Sequence, residues 1–367
     1  LWIIKDNEVS CLTKSLDRNI YSIAGSLNGN PVFIYVNSGS SIMAAINGHG
    51  EINKIIGDGG YVHLAHAEAN RIAYVYSTPT KPQEIFLYNN GEHKQVSRFN
   101  EWLLSEVKFY EPIRGEVNVD GENIEGWILL PEGLGLHPAI LYIHGGPKGM
   151  YGYRFEPEMQ LMASEGFSIV YSNPRGSDGY SEEFADIRGK YGDVDYKQIM
   201  AFLDYAISKY SIDKDKLAVT GISYGGYMTN VIITKTNIFK AAVSENGIAD
   251  WICDYWASDI GYWFDQDQII GTPQENLNNY IEKSPVFHID SVETPILFIH
   301  SAQDYRCFID QSLAMHVSLL LKGKESRLIV FTKGSHGHST RAEPRHRRKR
   351  YQIKVQWLKE KLNLKTK

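Results

Sequence analysis

The sequence predicts a mostly parallel α/β sheet in the C-terminal part of the chain, preceded by a β-rich segment, with the change near Tyr110. Before this point, short β-rich runs are separated by turn residues, and helical periodicity is nearly absent. Three of these runs cover Pro31–Val36, Arg71–Ser77 and Glu84–Tyr88. After it, apolar runs alternate with segments of helical spacing, which is typical of a sheet with helices on both faces. We therefore predict two domains, residues 1–110 and residues 111–367.

Individual elements of the C-terminal domain can be assigned from their patterns. Val117–Leu130 is interrupted at Asp120-Gly121, which predicts an antiparallel hairpin at the start of the domain. Continuous apolar runs predict buried parallel strands at 139–143, 217–219, 295–299 and 328–331. A helix with one buried face is predicted by apolar residues at helical spacing, namely Ile199, Leu203, Ala206 and Tyr210.

A sharp turn between a strand and a helix is predicted at residues 221–225, GISYG. Glycines on both sides of Ser223 let the chain reverse without collision between side chains, and such a turn exposes the serine hydroxyl. A free hydroxyl is a weak nucleophile near neutral pH, so it needs a histidine base, a carboxylate to orient that base, and donors for an oxyanion. The pattern alone is weak, and its value depends on finding these partners elsewhere in the chain.

The segment HGGP at 144–147 follows a predicted buried strand and supplies candidate donors. Two glycines at this point leave a backbone N–H exposed, as an oxyanion hole requires. We assign the N–H groups of Gly146 and Tyr224 as the two donors. The alternative interpretation is an ordinary Gly-Pro turn that ends a strand.

The carboxylate and the base are predicted after two later strands. Asp304 follows the run that ends at His300, and we assign it as the orienting acid. The next strand leads into a loop with two histidines, His336 and His338, and either could reach Ser223 from a loop. The chain order Ser, Asp, His is that of α/β-hydrolases. We therefore predict an α/β-hydrolase fold for residues 111–367.

Together these segments resemble the prolyl oligopeptidase family of serine peptidases, and within it the acylaminoacyl peptidase branch. The resemblance rests on HGGP at 144–147, SNPRGSDGY at 172–180, GISYGGY at 221–227, QDYR at 303–306 and SHGHSTRAEPRHR at 335–347. It implies that the catalytic histidine is His336 and that His338 occupies a variable position. The family commonly has Val-Pro where this chain has Cys307-Phe308, which puts the shape of that loop in doubt but not the role of Asp304.

The resemblance implies a serine peptidase that cleaves short peptides through an acyl-enzyme and releases N-acylated or N-terminal residues. Ser223, Asp304 and His336 are the implied catalytic residues, and no cofactor or metal is implied. His63 and His66 do not suggest a metal site, because three residues apart on a strand they point to opposite faces. A carboxylesterase with the same triad and a non-catalytic β-propeller scaffold are the alternatives.

A substrate pocket is expected in the segment 250–264, which carries many aromatic residues between the nucleophile and the acid. By resemblance, Trp251 is the best single candidate. The other candidate pocket residues are Tyr255, Tyr262 and Phe264, with Arg175 from the NPRGS segment. Arg175 is ambiguous, because it could contact substrate or pair internally with Asp178 or another carboxylate.

The resemblance also implies a β-propeller before the hydrolase. A propeller needs several blades of about 40 to 50 residues each, and residues 1–110 can supply only about two. We therefore expect the chain to be the C-terminal part of a longer protein, whose missing N-terminal propeller blades pack against residues 1–110. A small, complete β cap is the alternative, and a homo-oligomer is left open.

Composition points to a cytoplasmic protein without nucleic-acid or membrane partners. Three cysteines are too few, and odd in number, for a secreted disulfide framework. The net charge of −5 gives no general attraction to nucleic acid. The basic run 345–350 is predicted to open an amphipathic C-terminal helix whose charges face water. No apolar run approaches the length that spans a membrane.

Overall fold

The computed structural model describes residues 1–5 and 7–364, which divide into two compact units. The first unit comprises Leu1–Ile113, Met150–Gln160 and Ser177–Ala185. The second comprises Arg114–Gly149, Leu161–Gly176 and the chain from Asp186 onward. The first boundary lies close to the expected position near Tyr110. The two short later segments within the first unit were not anticipated from the sequence.

The first unit consists mainly of antiparallel strands. They are β1 (Trp2–Lys5), β2 (Glu8–Cys11), β3 (Ile20–Leu27), β4 (Asn30–Asn37), β5 (Ser40–Ile46), β6 (Ile52–Ile56), β7 (Tyr61–Glu68), β8 (Arg71–Thr78), β9 (Lys81–Asn89) and β10 (Glu92–Gln95). A 3₁₀ helix, Lys14–Leu16, and a short helix, α1 (Glu101–Glu106), complete the list. Strands β3–β6 and β7–β10 form two antiparallel four-stranded groups, which meet through a parallel pairing of β3 with β7.

The second unit is built on an eight-stranded sheet. Its strands are β11 (Ile113–Val119), β12 (Glu122–Leu129), β13 (His137–Ile143), β14 (Ser168–Asn173), β15 (Ile212–Ile222), β16 (Phe239–Glu245), β17 (Ile296–Ser301) and β18 (Ser326–Phe331). Their order is β11-β12-β14-β13-β15-β16-β17-β18. All neighbours from β14 to β18 run parallel, and β12 is antiparallel to β14. This is the mostly parallel sheet that the apolar runs predicted.

Helices follow most of these strands. They are α2 (Pro157–Ser164), α3 (Glu182–Ala185), α4 (Val194–Lys209), α5 (Tyr224–Lys235), α6 (Trp251–Ala257), α7 (Gly261–Gln268), α8 (Leu277–Lys283), α9 (Ile309–Leu321), α10 (His338–Arg341) and α11 (Pro344–Lys361), with a 3₁₀ helix at Pro285–Ser291. Ile199, Leu203 and Ala206 are buried on one face of α4, as their spacing predicted, whereas Tyr210 is partly buried and follows the end of the helix. Throughout the described chain, no helix is long and apolar enough to cross a membrane.

Helix α11 forms as the sequence predicted, but its charges do not all face water. Pro344 lies at its first turn, where the missing N–H of proline costs nothing. The side chains of Arg350 and Lys354 are each only 1% exposed. Both contact the buried carboxylate of Glu245 on β16. The expectation of a fully solvated charged face is corrected here, because that interior carboxylate attracts two of the cations.

The three cysteines are free thiols. Cys307 is buried, and burial raises the pKa of the partly buried Cys253 thiol to about 11. A thiol in such surroundings stays protonated and behaves as a small apolar side chain. The cytoplasmic location of the protein stays a prediction.

Gly225 lies in the first turn of α5, where this helix packs closely on the sheet. A Cβ atom added there would lie 2.2 Å from the carbonyl oxygen of Ile143 on β13, so helix and strand would have to separate. We expect Gly225→Ala to lower the free energy of unfolding by about 3 kcal/mol. Gly57→Ala is the matched control, because nothing lies within 4 Å of its added Cβ. Equal, small losses in chemical denaturation would contradict this packing argument.

Candidate active site

Ser223 lies in a strained turn between β15 and α5. Its backbone angles are φ 61 and ψ −123, a conformation that residues other than glycine rarely adopt. The turn is held from the neighbouring strand, because the N–H of Ser223 donates to the carbonyl oxygen of Glu245 at 2.9 Å. This hydrogen bond to the sheet therefore stabilises the strained backbone, and the turn directs the hydroxyl away from the helix that follows.

The structure brings Ser223, His336 and Asp304 into one hydrogen-bonded row. Nε2 of His336 lies 2.8 Å from Oγ of Ser223, and its Nδ1 lies 2.8 Å from Oδ2 of Asp304. With the Nδ1 proton donated to the carboxylate, Nε2 is free to accept the proton of the serine hydroxyl. His338 lies elsewhere: it is 3% exposed, and its Nε2 is 3.3 Å from Oε2 of Glu245. The geometry thus places His336, and not His338, beside the serine.

Asp304 is held by the loop that follows β17. Its side chain is fully buried, and its Oδ1 accepts the backbone N–H groups of Arg306 at 2.9 Å and Cys307 at 3.1 Å. Two fixed donors on one oxygen leave the other oxygen directed at His336. The Cys307-Phe308 sequence, where the family pattern differs, therefore still supplies a main-chain donor to the acid.

The two expected oxyanion donors line the same cavity as Ser223. Tyr224 is the first residue of α5, and N–H groups in the first turn of a helix have no carbonyl within that helix to donate to. Gly146 follows β13 with a φ of 136, which only glycine adopts without strain. Their assignment as oxyanion donors belongs with the proposed mechanism.

The cavity next to Ser223 has a volume of about 380 Å³, and six of its fourteen lining residues are aromatic. Its lining comprises Gly146, Pro147, Tyr191, Ser223, Tyr224, Tyr227, Ile248, Trp251, Asp254, Ile260, Trp263, Phe264, Arg306 and Cys307. Trp251 is buried and packs edge-on against Tyr191 and Tyr227, with ring centroids 5.4 Å apart in each case. These three rings all line the cavity and form an apolar part of its wall.

Two of the expected pocket residues, Trp251 and Phe264, line this cavity, and three others lie elsewhere. Tyr255 packs between Trp256 and Tyr280. Tyr262 is 66% exposed.

Arg175 pairs internally. Its Nε donates to Oε1 of Glu122 at 2.9 Å, and its backbone N–H donates to Gln198. The partner is thus a carboxylate on β12, whereas Asp178 accepts hydrogen bonds from Asn19 and Tyr21 within the first unit. This carboxylate pairing removes the guanidinium from the cavity.

Sequence reasoning missed other lining residues. Tyr227 lies in the GISYGGY segment and Arg306 in QDYR, so both were within quoted motifs without being assigned to the pocket. Tyr191 carried no comparable signal. Arg306 is itself engaged, because its guanidinium pairs with Asp259 through hydrogen bonds of 2.6 and 3.2 Å.

A pair of buried carboxyl groups lies at the cavity, one of them in its wall. Asp254 on α6 lines the cavity, and Asp265 on α7 is fully buried nearby. Burial raises the pKa of Asp265 to about 8. Burial and the nearby Asp265 carboxyl hold the pKa of Asp254 well above its usual range. Both shifts favour the protonated, uncharged form of these two carboxyl groups.

Metal-binding side chains do not cluster in the described part of the chain. No group of three His, Cys, Asp or Glu residues there could hold a metal ion. His63 lies on β7, where its Nε2 is 2.8 Å from Oγ of Ser77. Burial lowers the pKa of His63 to about 4.

Comparison with known proteins identifies the family. The model of the prolyl oligopeptidase family matches residues 153–365. The chain belongs to this family. An uncharacterized peptidase of Bacillus subtilis (strain 168), YuxL, is 36% identical across 97% of this chain and 58% of that protein.

Solved structures of family members resemble the chain over nearly its whole length. Pyrococcus horikoshii acylaminoacyl peptidase is 39% identical, with a TM-score of 0.94, and the match covers 99% of this chain and 59% of that one. An acylaminoacyl peptidase in complex with Z-Gly-Gly-Phe-chloromethyl ketone gives the same values. The predicted α/β-hydrolase fold and the predicted relation to the acylaminoacyl peptidase branch are confirmed. The chain spans less than two thirds of the length of these relatives.

The row of hydrogen bonds predicts very different effects for the two histidines. Ser223→Ala and His336→Ala should each lower kcat by about four orders of magnitude, because each removes a member of the proton-transfer row. His338→Ala should cost far less, since that ring does not contact Ser223. Steady-state kinetics on a chromogenic peptide would measure this. An inactive His338→Ala beside an active His336→Ala would reverse the assignment of the base.

The buried Asp265 carboxyl predicts a stability contribution that declines as pH rises from the acid range to about 8. Its folded pKa of about 8 lies above the unfolded value, so its contribution is fully present below the unfolded pKa and is lost as pH rises through about 8. Between about pH 5 and pH 8, Tm of the parent should fall more steeply with rising pH than Tm of Asp265→Asn, because the folded carboxyl keeps a proton that the unfolded chain has lost. Asp267→Asn, at an exposed position on the same helix, should retain the parent slope. Identical slopes for all three proteins would contradict this.

Proposed function

We propose that this chain is the catalytic part of a serine peptidase that hydrolyses short peptides through an acyl-enzyme and releases N-acylated or N-terminal residues. The observation that carries the proposal is the hydrogen-bonded row of Ser223, His336 and Asp304, whose serine lines a cavity rich in aromatic residues. Membership of the prolyl oligopeptidase family supports it. No observation favours the carboxylesterase alternative.

Acylation begins when Oγ of Ser223 attacks the scissile carbonyl carbon. Nε2 of His336 takes the hydroxyl proton as the Oγ–C bond forms, and Asp304 stabilises the resulting imidazolium. The carbonyl oxygen becomes an oxyanion, to which the N–H groups of Gly146 and Tyr224 donate. When the C–N bond breaks, His336 returns the proton to the leaving amine, and the acyl group remains on Ser223.

Deacylation repeats the same steps with water. His336 removes a proton from a water molecule, whose oxygen attacks the ester carbon of the acyl-enzyme. The same two N–H groups stabilise the second oxyanion. The proton then passes to Oγ of Ser223, which restores the enzyme and releases a carboxylic acid. No redox or metal chemistry is needed for this sequence.

The substrate class follows from the cavity. Its aromatic walls and volume of about 380 Å³ suit a large apolar side chain on the acyl side of the scissile bond. The related acylaminoacyl peptidase in complex with Z-Gly-Gly-Phe-chloromethyl ketone carries a phenylalanine in its ligand, which supports the same preference here. We therefore propose phenylalanine-like residues as preferred substrates.

A matched set of small substrates tests the proposed function. It comprises acetyl-Phe-Ala-Ala, Phe-Ala-Ala, acetyl-Ala-Ala-Ala and the ethyl ester of acetyl-Phe. Mass spectrometry should detect release of acetyl-Phe or Phe from the peptides, with Ser223→Ala inactive on all four. The ratio of the first two substrates distinguishes blocked from free N-termini. Cleavage of the ester alone would overturn the peptidase proposal in favour of an esterase.

Phe264 offers a sharp test of the pocket because an exposed aromatic residue lies two positions away. Phe264→Ala should lower kcat/KM about tenfold or more for acetyl-Phe-Ala-Ala, but less than about twofold for acetyl-Ala-Ala-Ala, since only the larger side chain fills the lost surface. Tyr262→Ala, whose ring is exposed, should change neither value. Equal losses on both substrates would mark Phe264 as a structural residue only.

For the first unit, we propose that the groups β3–β6 and β7–β10 are two blades of a β-propeller. Each group has four antiparallel strands, as a blade does. A closed propeller has about four to eight blades, so further blades, or a second copy of the chain, would be its partners. A monodisperse monomer with strands β3–β10 strongly protected in hydrogen exchange would contradict this.

A further inference from the structure

Asn246 lies at the meeting point of the segments that carry the three members of the candidate triad. It follows β16 directly, one residue after Glu245, whose carbonyl oxygen accepts the N–H of Ser223. Its own N–H donates to Ile299 on β17 at 3.1 Å. The backbone of this position is thus tied to the nucleophile turn on one side and to the strand before the acid on the other.

The side-chain amide of Asn246 makes two further connections. Its Oδ1 accepts the N–H of Ser301 at 3.2 Å, and Ser301 in turn accepts the N–H of Asp304 at 3.1 Å. Its Nδ2 donates to the carbonyl oxygen of His336 at 3.3 Å. Asn246 is fully buried, so water does not compete for these bonds. One amide therefore joins the acid segment to the histidine itself.

An amide side chain meets both demands with two separate atoms. One neighbour presents an N–H and the other presents a C=O, so the group must accept on one side and donate on the other. Asn246 also has a φ of 44, a left-handed conformation that asparagine tolerates better than most residues. Side-chain chemistry and backbone conformation select the same residue type.

The preceding residue holds the histidine loop at a second point. The Glu245 carboxylate contacts Nε2 of His338, two residues after His336, at 3.3 Å. Arg350 and Lys354 contact the same carboxylate at 2.6 and 2.8 Å. This loop is therefore attached to the end of β16 by a backbone carbonyl at His336 and by a side chain at His338.

We propose that Asn246 is a positioning residue for the triad: its amide sets the distance between the His336 imidazole and the Ser223 hydroxyl by holding the histidine and acid segments to the end of β16. The inference rests on the proposed catalytic role of the triad, but not on which peptides are cleaved. It makes the reactivity of Ser223 depend on a side chain that contacts neither the substrate nor Ser223.

Asn246→Gly tests this proposal, because glycine keeps the left-handed backbone while removing the amide. The readout is the rate at which a fluorophosphonate probe labels Ser223, which requires the Ser–His pair but no particular substrate. We expect labelling and kcat to fall about tenfold or more, with KM for a small peptide changed less than about twofold. A parent protein that is labelled but cleaves no peptide would sink the proposed substrate class and leave this test intact. A parent that is not labelled would overturn both.

Two comparisons distinguish a positioning role of Asn246 from a non-specific loss of structure. In the His336→Ala background, Asn246→Gly should not reduce the residual labelling further, since the group that it positions is gone. Thr294→Val is the matched control: it removes a buried hydrogen bond of 3.1 Å to Phe239, at the other end of β16, and should leave labelling unchanged. Equal losses in both backgrounds, or an equal loss in Thr294→Val, would show that Asn246 is merely structural. All rates are taken at temperatures where thermal unfolding shows each variant to be folded.

Discussion

The candidate site depends on the ion pairing of the buried Glu245 carboxylate with Arg350 and Lys354. The Glu245 side chain is 2% exposed. Burial alone would raise its pKa, but Arg350 and Lys354 hold the pKa of Glu245 well below its usual range. A charge in such a place is tolerated only while its partners are present, and an unpaired one costs about 3 to 5 kcal/mol. Because the main chain of Glu245 also holds Ser223, the ion cluster and the nucleophile turn share one support.

This support must offset backbone strain, because the conformation of Ser223 costs about 1 to 3 kcal/mol. Gly225 lets α5 approach β13 closely enough to fix the turn, and the neighbouring strand supplies a hydrogen bond. The hydroxyl, the imidazole and the carboxylate then need little rearrangement before reaction. The C-terminal ends of the neighbouring strands β15, β16 and β17 provide this pre-organisation.

Local sequence patterns were sufficient for the parallel sheet, the GISYG turn and the chain order of the triad residues. These patterns were not sufficient where the position of a residue depends on partners that are distant in the sequence. The two-residue step from Tyr262 to Phe264 is about 200° around a helix, so one ring enters the cavity and the other meets solvent. The periodicity of the sequence does not tell which of the two rings faces the cavity until the position of the helix in the fold is known. In the same way, Arg350 looked solvated because its carboxylate partner lies 105 residues earlier.

That separation has a consequence for how the protein matures. The ribosome makes Glu245 well before Arg350 and Lys354, and at about 5 to 20 residues per second the delay lasts several seconds or longer. During this interval the carboxylate has no countercharge and stays hydrated rather than buried. We expect the end of β16, which holds the nucleophile turn, to reach its final conformation only after α11 has docked. The nucleophile turn is then among the later parts of the second unit to be completed.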